Sequence, residues 1–273
     1  MNDREESGSV VMYPFVFNGK SIFYSGYCLV VKKDKEIVRF YSILFIVFVH
    51  DLMSSLEFRF DQENTFCISQ YDTVVGEERW AKMVARSRIV DLPMTRWRAS
   101  GGVPIYSFAG GLNAGQIGCA QSHISIWKKI VDSDMDYALI LEDDAMFDRK
   151  WLVRLAWLPW QVQDGEWDAI FLNVSEPCVP KHQWVKAQDQ YLTGGYIISR
   201  RGAVNVLSMF DGCFFSSDWM TRCLQTRGHS YTYFPWLIVQ EGKESTVGSG
   251  VVDDHLKVVR CLGEINYALD SYV

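Results

Sequence analysis

The sequence predicts an α/β protein with a mainly parallel sheet covered by helices. Short uninterrupted apolar runs, such as Tyr137 to Leu141, alternate with segments whose apolar residues recur at helical spacing. In one of those segments, Gly115 to Val131, residues Ala120, His123, Ile124, Trp127, Ile130 and Val131 make a single stripe. The chain has 273 residues, 48% hydrophobic and 22% charged, which is enough for a sizeable core and excludes whole-chain disorder.

The elements follow in order from Phe58. Thr65 to Ser69 reads as a short buried strand. Gly76 to Arg88 reads as a helix, with Trp80, Met83 and Val84 at helical spacing. Leu92 to Trp97 is expected to be extended, and Gly115 to Val131 helical. Tyr137 to Leu141 is a strand that runs into Glu142, Asp143 and Asp144. Arg149 to Leu158 is expected as a helix and Asp168 to Asn173 as a strand. Tyr191 to Ser199 reads as extended around Gly194 and Gly195. Arg200 to Met209 and Asp218 to Thr226 are helices, and Tyr231 to Val239 returns as a strand. Such alternation is the signature of strands joined by helical crossovers.

The first sixty residues read differently. Val10 to Phe17 is apolar, Lys32 to Glu36 is a charged cluster, and Tyr41 to Val49 is an aliphatic and aromatic run. That run is short of the roughly 20 apolar residues a membrane span needs. It reads as a buried element or as a leader outside the main domain, with a signal anchor as the alternative. Met1 to Ser9 is polar and acidic, unlike a secretory leader. The expected location is the cytoplasm, with attachment to a membrane surface as an alternative.

With 27 basic and 33 acidic side chains the net charge is -6, and no Lys/Arg-rich patch stands out. Nucleic acid is therefore not an expected partner. The seven cysteines, Cys28, Cys67, Cys119, Cys178, Cys213, Cys223 and Cys261, show no paired zinc-ligand spacing and no dense cluster. Mostly reduced thiols are expected, and a Cys213–Cys223 bridge stays open.

Chemistry concentrates at Glu142, Asp143 and Asp144. Three carboxylates at the end of a buried strand repel one another unless a cation or a proton intervenes. Ligands of open α/β sheets sit at the carboxyl ends of strands. Alternation along the strand points Glu142 and Asp144 the same way, so both can face one Mn2+ or Mg2+. A solvated acidic turn that caps the next helix fits the same residues, and the pattern leaves both open.

A second motif is Gly115-Gln-Ile-Gly-Cys119, followed by Ser122-His123 and Trp127. Glycines before a helix let a ligand approach the backbone, and a helix amino terminus favours anions. His123 lies on the apolar stripe, where a hydrogen-bonded core histidine is the plain alternative.

Taken together, Gly115 to Cys119, Ser122-His123, Trp127 and Leu139 to Asp144 closely resemble the signature of glycosyltransferase family 25. Further matches keep the family's order: Thr65 to Met83 with Glu78-Arg79, Thr193 to Ser199 with Gly202-Ala203, Ser217-Asp218-Trp219, and Phe234-Pro235 with Val239-Gln240 and Ser245. The resemblance covers roughly residues 60 to 250. Ala99-Ser100-Gly101-Gly102 lacks an aspartate the family often carries there, and Gln70 to Gly76 departs from its usual opening loop.

The resemblance implies a GT-A-like Rossmann-type sandwich over residues 58–273, with residues 1–57 as an extension. It implies a UDP-sugar donor, a divalent metal and inversion at the anomeric carbon. The acceptor would be a hydroxyl of a glycan, glycolipid or glycoprotein. In this reading Glu142 and Asp144 hold Mn2+ or Mg2+, and Asp143 supports them or touches the donor sugar. Arg79 meets diphosphate or uridine, Ser122 and His123 shape the donor pocket, and Gly194, Gly195 and Tyr196 line the groove. Asp218 is the base, in an apolar setting made by Phe214, Phe215, Trp219 and Met220; a helix cap is its alternative. Two rival readings are a non-catalytic sugar-binding relative and a metal-dependent nucleotidyltransferase or phosphohydrolase.

Overall fold

The run that ends in Glu142 is an inner strand of a seven-stranded sheet. The structure is a computed structural model. It describes residues 11–17, 20–26, 58–158, 166–173, 175–177, 181–191, 193–210, 212–241 and 251–273. The Lys32–Glu36 cluster, the Tyr41–Val49 run, Cys28, Cys178 and Ser245 lie outside the described residues.

The chain divides into two units, Met1–Leu56 and Glu57–Val273. In the first, β1 (Val11–Phe17) and β2 (Lys20–Gly26) form an antiparallel pair, with Phe17 opposite Lys20.

The second unit begins with β3 (Thr65–Ser69), α1 (Val74–Ile89), β4 (Thr95–Arg98), α2 (Ala114–Val131), β5 (Tyr137–Glu142) and β6 (Ala145–Phe147). It continues through α3 (Trp151–Leu155), β7 (Ala169–Phe171), β8 (Trp184–Lys186), β9 (Gly195–Ser199), α4 (Arg200–Met209) and α5 (Ser217–Gln225). It closes with β10 (Ser230–Tyr233), β11 (Ile238–Gln240) and α6 (Val251–Glu264). The sheet order is β4-β3-β5-β9-β7-β10-β8. Parallel pairing joins β3 to β4 and β5, and β7 to β10. The other pairs, all antiparallel, involve β9 or β8, so five of the seven strands point one way.

Strand alternation sends successive side chains to opposite faces. Phe66, Ile68, Ala138, Ile140, Tyr196 and Ile198 pack with Ile124 and Trp127 of α2 and Val206 of α4. Cys67, Leu139, Leu141 and Ile197 pack on the other face with Met83 of α1 and Trp151 of α3. Both faces are covered, which is why β3 and β5 read as unbroken apolar runs.

Local chemistry sets the helix starts. Thr73 caps α1 by accepting from Gly76 N at 3.0 Å. Asn113 and Gln116 form a reciprocal capping box at the start of α2. Ser199 caps α4, accepting from Gly202 N at 2.9 Å. A Cβ on Gly202 would lie 2.0 Å from the Asp168 carbonyl oxygen, a rigid neighbour. Gly202→Ala is therefore expected to destabilise the unit by about 1–3 kcal/mol, read as a lower urea midpoint. An unchanged midpoint would contradict this packing.

Several boundaries differ from the sequence reading. The expected strand Tyr231 to Val239 is two strands, because Pro235 has no N–H to give a ladder. The helix expected from Arg149 to Leu158 is only α3; ahead of it, Arg149 N donates instead to Ser271 O. Cys213 and Cys223 are free thiols, so the bridge left open by the sequence is not made. Among the described residues, no helix is long and apolar enough to cross a membrane.

Candidate active site

The parallel run of β4, β3 and β5 delivers three strand ends to one side of the sheet. The first turns of α1 and α2 reach the same side. A cavity of about 280 Å³ opens there, lined by the whole triplet Glu142, Asp143 and Asp144. Arg79, Ser69, Ser100 to Gly102, Gly115, Cys119 and Ser122 complete much of its wall.

The three acids are held differently. Glu142 ends β5, and its backbone N–H donates to Gly194 O at 3.1 Å. Its Oε1 accepts from Thr193 Oγ1 at 2.9 Å, with His123 Nε2 at 3.3 Å and Cys119 Sγ at 3.8 Å. Burial pushes the Glu142 pKa up, but the hydrogen bond and charge of His123, then the hydrogen bonds from Thr193 and Cys119, outweigh it and hold the carboxyl below its usual range. Asp144 is buried too, and its pKa is driven up to about 7 by desolvation and then by the charge on Glu142. Asp143 is raised mainly by burial, against hydrogen bonding from Ser69 and the charge of Arg79, whose Nη1 lies 3.3 Å from its Oδ1. The triplet thus holds one firmly ionised carboxylate beside one that keeps its proton to neutrality.

The ionised one is backed by a buried chain of polar groups. The Trp127 indole N–H can only donate, and it does so to the Tyr196 hydroxyl at 2.8 Å. The phenol oxygen lies 2.9 Å from His123 Nδ1. His123 Nε2, across the ring, faces Glu142 Oε1. Cys119, His123 and Glu142 bring ligand-type atoms within 4.8 Å of one another, as a soft metal would require. The same atoms are joined by close polar contacts, with His123 Nε2 and Cys119 Sγ both against Glu142 Oε1. Cys119 stays a thiol, because burial and then the Glu142 charge raise its pKa well above the usual value.

These positions correct parts of the sequence reading. Tyr196 and His123 are fully buried, so they stand behind Glu142 and do not line a groove. Ser122 does reach the cavity, but its hydroxyl donates to Gly118 O at 2.7 Å and accepts from Ser100 N at 2.8 Å. A Cβ on Gly118 would come 2.6 Å from Ser100 O, so this glycine, on the cavity wall, makes room for the Ser100 loop. Gly194 and Gly195 admit protein as well. A Cβ on Gly194 would lie 2.3 Å from Asn173 Nδ2 and 2.7 Å from Gln240 Cγ, and one on Gly195 would lie 2.6 Å from Ile238 Cδ1.

Asp218 lies in the first turn of α5 and is only partly buried, not enclosed by apolar side chains. Its Oδ1 accepts from Trp219 N at 2.8 Å, and Trp219 is 39% exposed. The cap position belongs to Ser216, so the alternative role expected for Asp218 is not the one found. Its neighbour Ser217 touches Thr193 Oγ1 at 3.1 Å and Cys119 Sγ at 3.3 Å, which ties the start of α5 to the Glu142 cluster.

Sequence reasoning gave no role to Thr193, Ser217 or Gln240. Gln240 Nε2 lies 3.2 Å from Glu142 Oε2 and 3.3 Å from Asp144 Oδ1. The signal in the sequence was the Val239-Gln240 match, and the pairing of β11 with β6 explains it by setting Gln240 opposite Ala145.

Comparison with known proteins agrees with the resemblance. Residues 106–221 match the family model described as Glycosyltransferase family 25 (LPS biosynthesis protein). Procollagen galactosyltransferase 1 of Danio rerio is 38% identical over 106 residues, which are 35% of this chain and 18% of that protein. Procollagen galactosyltransferase 2 of Homo sapiens is 34% identical over 102 residues, 34% of this chain and 16% of its own. A Bos taurus relative named Probable inactive glycosyltransferase 25 family member 3 is 32% identical over 106 residues, 36% of this chain and 18% of its own length. The matches thus span less than a fifth of these relatives.

Proposed function

From a chain whose residues 106–221 form a glycosyltransferase family 25 segment, we propose a metal-dependent, inverting hexosyltransferase. It takes the hexose, galactose by analogy with the named relatives, from a UDP-sugar. The acceptor is a hydroxyl of a glycan, glycolipid or glycoprotein. The observation that carries this reading is the acidic triplet on the wall of a cavity at three strand ends.

The residues present fit a hard dication. The oxygens of Glu142 and Asp144 share one amide partner, and the burial and Glu142 charge that lift Asp144 to about 7 are offset when positive charge arrives. Glu142 and Asp144 would hold Mn2+ or Mg2+, which when bound neutralises the leaving diphosphate. Arg79, on the cavity wall beside Asp143, supplies further positive charge for the diphosphate. Asp218 stands apart from the triplet and takes the proton of the acceptor hydroxyl.

A donor screen with Mn2+, scored by UDP release in the presence of candidate acceptors, tests the proposal. Release from UDP-galactose or UDP-glucose is expected. Turnover of nucleoside triphosphates in preference to any UDP-sugar would replace the reading with phosphoryl chemistry. The inactive-relative reading is disfavoured because Glu142, Asp144 and Asp218 are all present.

A further inference from the structure

Gln240 occupies the place between the two oxygens best suited to a cation. Glu142 Oε1 is already taken by Thr193, His123 and Cys119, so Oε2 is the oxygen turned to Gln240. The Gln240 Nε2 lies within hydrogen-bond distance of that oxygen and of Asp144 Oδ1. An amide NH₂ between two carboxylates does electrostatically, and weakly, what a dication does fully. The same carboxamide carries a carbonyl oxygen, and a half-turn about its last side-chain bond exchanges the two ends. The NH₂ end suits carboxylates alone, whereas the oxygen end suits carboxylates that hold a hard cation.

We infer that Gln240 is a cation ligand, turning its carboxamide over on binding so that Oε1 joins Glu142 and Asp144. The inference rests on the metal-dependent reading above. The surroundings restrict the change to the side chain. Backbone bonds fix both flanks of the residue: Ile238 N donates to Leu172 O at 3.0 Å, and Glu241 N donates to Asp144 O at 2.8 Å. The Glu241 carboxylate is anchored to α1 by Arg86 at 2.7 Å and Lys82 at 3.0 Å. Gly194 keeps the lane beside Gln240 Cγ clear, where any larger residue would press on it.

The test is Mn2+ binding to the full chain without donor, followed by calorimetry, with thermal melting to check the fold. Gln240→Met keeps length but has neither donor nor acceptor, and it should weaken Mn2+ binding roughly ten- to hundredfold. Gln240→Glu offers an oxygen with charge and should bind Mn2+ more tightly than the wild type. If the amide merely fills space, Gln240→Met binds as well as the wild type or better, and the inference is overturned while the metal site stands. If the wild type binds no Mn2+, or Asp144→Asn binds equally well, the metal-dependent reading falls and takes the inference with it. Should Gln240→Met fail to fold, Gln240→Glu decides alone: tighter binding supports the ligand role, and equal or weaker binding overturns it.

Discussion

Asp144→Asn is expected to lower transfer by about a hundredfold or more while raising the stability of the protein in chelator. The loss follows from removing one of two carboxylates proposed to hold the cation, whose contribution is worth several kcal/mol. The gain follows from the burial of the Asp144 carboxyl and then from the Glu142 charge beside it. Folded Asp144 keeps its proton to about pH 7, while in the unfolded chain an aspartate releases it near 4. Its contribution to stability is therefore fully present below about pH 4 and is lost as the pH rises through about 7. Above that, the ionised side chain costs at most on the order of 4 kcal/mol. Asparagine carries no such charge, and its carbonyl can still accept from Gln240. In chelator at pH 8 the variant should melt higher than the wild type, and at pH 4 the two should converge. Full activity in the variant, or full wild-type activity in excess chelator, would remove the metal site from the account.

For Asp218→Asn we expect donor binding close to normal and transfer at least about a hundredfold slower, the scale of a lost general base. Carboxylates bound to a cation are poor bases, so the triplet cannot also take the acceptor's proton. The Asp218 carboxylate is not on the cavity wall lined by the triplet, and the chain ties it to that wall through its neighbour. Ser217, its neighbour, contacts Thr193, and Thr193 donates to Glu142. Asparagine keeps an oxygen for the Trp219 N–H, so the start of α5 should survive. Equilibrium binding of UDP-sugar beside single-turnover transfer separates the outcomes. Lost donor binding with turnover intact would make Asp218 a donor ligand and leave the base to another acid.

Much of this arrangement was legible in the residues. The strand that carries the triplet, the capped helix α2 and the order of elements all follow from apolar periodicity, because those segments are long enough to show one. The strands β6, β8 and β11 have three residues each, too few to carry a period. The expected strand Tyr231 to Val239 stopped one residue short of Gln240, and a three-residue β6 gave no sign of the β6–β11 pairing that brings Gln240 beside Asp144. Tyr196 was misplaced for a different reason. The preceding Gly194-Gly195 suggested an open groove, yet strand alternation sends this ring to the face covered by α2. The apolar residues around Asp218 in sequence did not enclose it, because α5 presents Met220 to the core and leaves Trp219 half outside.

The indole of Trp127 has a consequence that reaches beyond packing. It never meets the cavity, yet it fixes one hydrogen of the buried chain, the one it gives to the Tyr196 hydroxyl, which stands against His123 behind Glu142. An apolar residue of similar bulk in its place would fill the same space and leave the phenol free to point either way. The interior of this protein therefore stores an instruction as well as a volume. Substitutions that look neutral by size in the core beneath α2 can scramble the polarity of the site while the fold stays whole.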